Sequence, residues 1–539
     1  MRLDVDRRAF LTAAAAGLIL PVRPALANLW PASGFTHSVA SFNPTATAVT
    51  LWTRYVSADG NANELMVEVA ADEGFTRILG KGFTSAGPDT WGTASVTVAG
   101  LPPGQWAWYR FTAPDKSVSP IGRTRTLPAG PVGAARFAVF SCANKPFGWF
   151  NAYGHCAARD DIDLVVHLGD YIYEYKRGEY PAAEQSVADR DIEPANEILA
   201  IDDYRQRYAS YRVDPGLQAL HRRFPVIAIW DDHEFANDAW RSGAQNHQAD
   251  EGDWSLRLRA ALTAHREWLP HGSPAYRSSD YGDLVSIIAL DSRTDRDKQL
   301  EIAPAIMGGA NSLASFRDKE WSAPYRRLLG VTQERWLTDT LTASVKRGTK
   351  WQFLAQQLVM GNTVVPAEAA GWLGANPNPR LRAYVQAGIM AGAAGIPGNM
   401  DGWGGYPAAR SRLLKAAQTV GADLVVASGD SHNAWAFNLA EGGLPAGVEF
   451  AGQSVTSPGY ESALSANPDD VRAGLVKANP EMVWCDTSRR GYMTIDFTPE
   501  ATRGEWVFMN TIRTPSLATS KGVAAVAKRG TRRMTLEGA

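Results

Sequence analysis

The chain has 539 residues, enough for two or three domains built around large cores. Its 45% hydrophobic and 20% charged content and a formal net charge of −2 exclude the strongly basic footprint of a nucleic-acid or membrane-surface binder. Three cysteines, Cys142, Cys156 and Cys485, exclude a disulfide scaffold; one pair could form, and the leftover thiol calls for another reason, such as a metal.

Residues 1–27 read as an address. Paired Arg7 and Arg8 precede Phe10, Leu11 and an Ala-rich apolar stretch that is too short to span a bilayer. Ala25-Leu26-Ala27 fits a small-x-small cleavage site. The pattern resembles a twin-arginine signal peptide, which predicts engagement of the twin-arginine export machinery and a periplasmic or extracellular destination, with no stable membrane anchor.

From residue 28 to 128 the chain predicts a small antiparallel β-sandwich. "TATAVTLWTRYV", "ELMVEVAAD" and "QWAWYRFTA" alternate in polarity, with turn signals such as Asp59-Gly60 and Pro102-Pro103-Gly104 between such segments. "TLPAGPVGA" links it to residues 129–512. There the texture becomes α/β: "ARFAVFSCA", "DLVVHLGD", "PVIAIWDDHE", "LVSIIALDSR", "WQFLAQQLV" and "ADLVVASGDSH" read as buried strands. Helix-compatible segments such as "IDDYRQRYASYRVDPGLQALHRRF" and "TQERWLTDTLTASVKRGT" lie between several of them. The fold class expected is a sandwich of two β-sheets flanked by helices. Residues 240–254 and 361–406 look like long inserts without periodicity, and residues 513–539 like a loosely packed tail.

Four apolar runs end in chemically active residues. Ser141-Cys142 follows "FAVF". Gly169-Asp170-Tyr171-Ile172-Tyr173 follows "LVVHL". Asp231-Asp232-His233-Glu234, with Asn237 close behind, follows "VIAIW", and Gly429-Asp430-Ser431-His432 follows "LVVAS". Ligands of α/β folds collect at the carboxyl ends of strands. Converging there, a thiol, several carboxylates, a phenol and an imidazole would be costly to bury together unless a multivalent cation reverses the sign of the local field. A phenol titrates near pH ~10, so tyrosine ligation favours a strong Lewis acid such as ferric iron.

With these blocks in order, the chain resembles the alkaline phosphatase D family of calcineurin-like metallophosphoesterases. "SCAN", "HLGDYIYE", "WDDHEFAND", "LDSR", "QFLAQQLVM" and "SGDSHNAWAFNL" carry the resemblance, and "VTLWTRY" extends it to an N-terminal β-sandwich. The resemblance implies Fe3+ held by Cys142, Asp170, Tyr173 and His432. It also implies one or two Ca2+ ions, with Asp170 as the bridge and Asn237 and Asp430 as further ligands. Arg54 matches an arginine that reaches from the sandwich toward phosphate; by its residues alone it is a surface strand arginine. One block departs, since Gly404 precedes Gly405-Tyr406 where the family commonly shows an acid.

The expected activity is hydrolysis of phosphate esters, mono- or diesters, by attack of a metal-bound hydroxide. His233 is read either as the proton donor to the leaving group or as a residue that orients Asp231 or Asp232. A phospholipase D-type diesterase is the alternative, and a catalytically silent secreted binding protein is a further one, disfavoured because all six implied ligand positions are filled. A zinc peptidase lacks its His-Glu-x-x-His helix.

Overall fold

Apolar runs too short for helices become interior strands. Ala135–Phe140, Leu164–His167 and Pro225–Ala228 lie side by side in parallel, almost wholly buried, and Val285–Ala289, Trp351–Ala355 and Leu424–Ser428 do the same in a second sheet. Both faces of such strands must be covered, which explains the lack of polar alternation. The computed structural model describes residues 30–538, so the proposed signal peptide lies outside the described residues.

The first set sits at the centre of a ten-stranded sheet, the second in a seven-stranded one. The two pack face to face through Phe137, Val166, Ile227, Ile287, Phe353, Val425, Phe450 and Trp506. Helices Ile201–Arg212, Pro215–Arg223 and Trp254–Trp268 cover the outer side of the larger sheet. Gly330–Lys346, Pro407–Val420 and Pro468–Ala478 cover that of the smaller. The expected sandwich flanked by helices is the architecture observed. Asp214 divides the first predicted helical segment in two, because its carboxylate caps the second helix by accepting the Leu217 N–H at 3.0 Å.

Three sequence expectations change. Residues 28–128 do supply a β-sandwich core around Val39, Leu51, Val67, Val69 and Tyr109. One of its layers, however, is continuous with the ten-stranded sheet: Ser41 and Phe42 pair in parallel with Pro225 and Val226. Strand Gly34–Phe42 thus pairs along both edges, and the boundary near 128 is not a gap between sheets. The supposed tail is no tail. Thr519–Lys528 and Met534–Leu536 finish the ten-stranded sheet, burying Ala525, Ala527 and Met534. Small side chains let strand Thr519–Lys528 pack between Ala501–Met509 and Met534–Leu536, and its lysines face solvent. The 361–406 insert contains a helix, Pro379–Ala393, capped by Asn378.

Candidate metal centre

The parallel strands of each sheet end at one edge, and the loops leaving them meet. Cys142 donates its backbone N–H to Gly169 O at 3.1 Å, and Ala143 donates to Asp170 O at 2.9 Å. From the other sheet, Gly429 N–H reaches Gln357 O at 2.6 Å, while the Gln357 amide donates to Trp230 O and Leu290 O at 2.6 and 3.0 Å. Gln357 therefore ties the two strand-end loops together. The backbone is forced here: Cys142, Asp170, Asp238, Asp430 and His432 all have positive φ, between 51° and 60°. Such conformations each cost about 1–3 kcal/mol in a non-glycine residue and persist where surroundings over-determine them. At Gly169 (φ 102°) a Cβ would lie 2.4 Å from Asp231 N, so only glycine allows these two loops to touch.

This packing brings four predicted ligands together. Donor atoms of Cys142, Asp170 and His432 lie within 4.8 Å of one another. The Tyr173 hydroxyl donates to Asp170 Oδ2 at 3.1 Å and stands 3.3 Å from His432 Nε2 and 2.6 Å from Ser457 Oγ. His432 Nδ1 is 2.7 Å from Pro458 O, which fixes that nitrogen as the donor and leaves Nε2 with a lone pair aimed at the group. Burial, reinforced by Asp170, pushes both the Cys142 thiol and the Tyr173 phenol well above their ordinary ranges. Burial pushes His432 down to about 3.

Next to this group is a nest of acids. Asp231, Asp232 and Asp430 form one close set, and Asp232, Asp238 and Asp401 another. Burial first, then neighbouring carboxylates, raises Asp170 and Asp430 far above the normal carboxylate range and takes Asp238 up to about 7. Two guanidiniums partly balance them. Arg293, fully buried, bonds Asp231, donates to Asp401 Oδ2 at 2.7 Å and to Asp430 Oδ1 at 3.2 Å, and is 3.4 Å from Asp232 Oδ1. Arg296 bonds Asp401. Although buried, Asp401 is held down to about 2 by these two arginines. Asp170 Oδ1 and Asp231 Oδ2 are buried and have no hydrogen-bond partner at all. Thiol, phenol and imidazole beside surplus carboxylates with orphaned oxygens fit a metal centre with room for more than one cation.

His233 is buried between these acids. Its Nδ1 is 2.7 Å from Glu174 Oε2, a ring nitrogen falls within 4.8 Å of oxygens of Asp170 and Asp232, and its ring packs on Tyr173 with centroids 4.2 Å apart. Burial opposes a charge on this ring, but Asp170, Glu174 and Asp232 outweigh it and hold His233 above its ordinary value.

Two predicted residues make other contacts. Arg54 donates through Nε to Trp91 O and through Nη1 to Thr36 Oγ1, both at 2.8 Å, and lies over the Trp91 ring. It is a buried residue of the N-terminal sandwich and not a surface strand arginine. The Asn237 amide donates to Gln245 Oε1 at 2.9 Å; it is the adjacent Asp238 that joins Asp232 and Asp401. All three cysteines are free and buried, so no pair forms.

Sequence reading assigned no role to Glu174, Glu234, Arg293 or Asp401. Glu234 accepts from the backbone N–H groups of Asp170, Tyr171 and Asp231 at 3.0, 2.6 and 2.6 Å and so locks two metal-site loops. The available signal was position: Arg293 follows a strand in "LDSR" just as the proposed ligands follow theirs, and Asp401 opens the "DGWGGYP" block. At Gly404 in that block a Cβ would meet Pro397 Cγ at 2.8 Å, so an acid there would require the loop to shift.

Residues 137–506 match the PhoD-like phosphatase family and residues 23–128 match the PhoD-like phosphatase N-terminal domain. The chain belongs to the PhoD-like phosphatase family. Alkaline phosphatase D of Bacillus subtilis (strain 168) is 33% identical over 511 residues, 90% of this chain and 79% of that protein. Among solved structures, one of PhoD superposes with a TM-score of 0.78 at 30% identity, covering 94% of this chain and 92% of the other. A purple acid phosphatase, PPD1 from yellow lupin (Lupinus luteus) seeds, reaches 0.56 at 12% identity over 91% and 74%, a likeness of fold. The chain is a phosphoric ester hydrolase of the metallophosphoesterase type.

Proposed function

We propose that this chain is an exported alkaline phosphatase/phosphodiesterase that works with Fe3+ and Ca2+. The observation that carries the reading is the convergence of Cys142, Asp170, Tyr173 and His432 on one point, bordered by orphaned carboxylate oxygens. Those four residues would hold iron. Asp170 and Asp430, with Asp231 or Asp232 beside them, would hold calcium, and Asn237 would add its Oδ1, since its bond to Gln245 uses only the amide N–H. Bound there, the cations would neutralise phosphoryl charge and lower the pKa of a water into the range of a nucleophile.

The protein's own part is positioning and proton handling. Pro458 O fixes the His432 tautomer, and Ser457 and Asp170 hold the Tyr173 hydroxyl. Glu174 fixes His233 through Nδ1, so the other ring nitrogen can give a proton to the departing alkoxide. Arg293 balances the acids beside the proposed ligands. The "DRRAF" signal supports passage through the twin-arginine machinery to the periplasm or beyond. Among the described residues no helix is long and apolar enough to cross a membrane.

Metal analysis with turnover of a monoester and a diester panel tests the reading. It requires iron, a visible charge-transfer band that depends on Cys142 and Tyr173, and loss of turnover in Asp170→Ala. Colourless, iron-free protein with full activity would sink the metal assignment.

A further inference from the structure

The 361–406 segment has no part in holding the metal centre except through Asp401, yet it builds a second cavity beside it. This cavity has a volume of about 160 Å³. Its walls are Val365, Trp372, Leu381, Val385 and Leu475, and no charged side chain lines it. Helix Pro379–Ala393 forms one side. Val385 and Ala391 are its buried residues, and Leu381 and Ile389 pack half-buried against the core behind the smaller sheet. Tyr384, 67% exposed, stands at the outer rim.

The cavity adjoins the metal centre's surroundings. A smaller space of about 40 Å³ is lined by Asp430, Ser431, Pro397 and Trp435, and Thr363, Asn399 and Tyr460 line both spaces. The two spaces abut at these three residues: a carboxylate of the metal centre lines the smaller one, and mostly hydrocarbon lines the larger. Tyr460 is held at the junction: its N–H donates to Asn433 Oδ1 at 3.2 Å, and its ring meets Trp435 edge-on at 5.8 Å.

From this geometry we propose that the insert is the subsite for an apolar organic group on the phosphate ester. The inference rests on the phosphate-ester reading of the metal centre. A charged alcohol would find no counter-charge among these walls, and a polyol only the polar groups of Thr363, Asn399, Tyr384 and Tyr460, so most of the lining favours an apolar group. A cavity near 150 Å³ takes a benzene-sized group, so the fit is a phenyl ring or an alkyl chain of about six to eight carbons. Longer chains would leave past Tyr384. The occupant is thus an aryl or alkyl phosphate, free or as part of a lipid.

The test uses the full metal-loaded protein with linear alkyl phosphates of two to ten carbons, phenyl phosphate, glycerol phosphate as polar reference, and short- and long-chain phosphatidyl diesters in vesicles. Alkylphosphonates of the same lengths serve as inhibitors, which separates binding from turnover. KM and inhibition constants should fall about threefold to fourfold per methylene, as burial of a CH₂ implies, and level off near eight carbons. Val385→Trp, which fills the cavity, should erase that gain and leave glycerol phosphate turnover unchanged. Leu381→Glu, on a half-buried position that tolerates a charge, should do the same if the tryptophan variant does not fold. A gain extending to vesicle diesters assigns the subsite to lipid chains, and one confined to soluble esters assigns it to small aryl or alkyl groups. Hydrolysis of all esters with no dependence on chain length, or variants that keep the dependence, overturns the subsite. Hydrolysis of none overturns the phosphate-ester reading instead.

Discussion

Glu174 shows how one acid can act without touching substrate. It is fully buried, accepts from Asn237 N–H at 2.7 Å and Asn246 Nδ2 at 2.9 Å, and turns its second oxygen to His233. A positioning residue of this kind typically carries a tenfold to hundredfold effect. Glu174→Gln should lower kcat by about that factor, with KM nearly unchanged, and shift the limb of the pH–rate profile that reports His233. A uniform fall in stability with an unshifted profile would reduce Glu174 to a packing role. Asp170→Ala should be more severe, removing both turnover and bound iron. Arg293 makes the opposite point. It neutralises acids at four buried contacts, so Arg293→Met leaves buried charge uncompensated. Loss of such a partner costs roughly 3–5 kcal/mol, and urea unfolding of the metal-free variant against metal-free wild type should show it. Loading with Ca2+ should recover part of the loss, because a cation can take over the same carboxylates.

At the scale of elements, the strands were legible and their neighbours less so. "LVVHL" and "VIAIW" must be interior strands, because each has apolar residues on both faces. The residues that follow them were legible for the same reason. Arg293 and Asp401 were not: each sits more than fifty residues from the acids it meets, and a pattern read along the chain carries no such distance. The C-terminal strand was missed because Ala, Gly and Val with scattered lysines resemble a solvated tail until a sheet edge is there to receive them. Its contribution can be measured. Deleting residues 513–539 would uncover Ala525 partners on strand Ala501–Met509 and a long free edge. Free edges recruit other chains, so the truncated protein should melt lower and aggregate, while its metal centre, on the other strands' ends, should keep its ligands. A soluble truncation with an unchanged melt would show that the strand merely rests on the sheet. Strand Leu444–Ala451 offers a pH test. Glu449, fully buried, accepts from Met360 N, Gly361 N and Ser428 Oγ, yet burial still raises it from 4.5 to about 7. Between those values the native chain keeps a proton that the unfolded chain releases. Its stabilising contribution is present below pH ~4.5 and lost as pH rises through ~7, by about 3 kcal/mol at most. Glu449→Gln should flatten that part of the stability profile relative to wild type in urea titrations at pH 5 and pH 8.

Across the whole molecule the two sheets meet at a place that electrostatics alone would push apart. Asp170, Asp231, Asp232, Asp238, Asp401 and Asp430 gather where the loops of both sheets cross, against Arg293 and Arg296. The cost is spread through the fold as raised carboxylate pKa values and left-handed backbone at five site residues. A cation that binds the folded arrangement and not the unfolded chain must therefore stabilise the entire protein by mass action. At a free concentration one hundred times its dissociation constant, that contribution is about 2.7 kcal/mol. Chelation of metal-loaded protein should then lower the melting temperature and the urea midpoint together, and returning Fe3+ and Ca2+ should restore both. The same treatment of Asp170→Ala should change little, because the acid proposed to serve both ions is gone. The sign separates a metal centre from a merely acidic cleft. In the variant without Asp170 the metal-free fold should be more stable than metal-free wild type, since one buried acid with an orphaned oxygen has been removed. A metal-free Asp170→Ala that is less stable than wild type, with a chelator response equal to wild type, would mean that Asp170 holds the fold by hydrogen bonding and that the cations bind elsewhere.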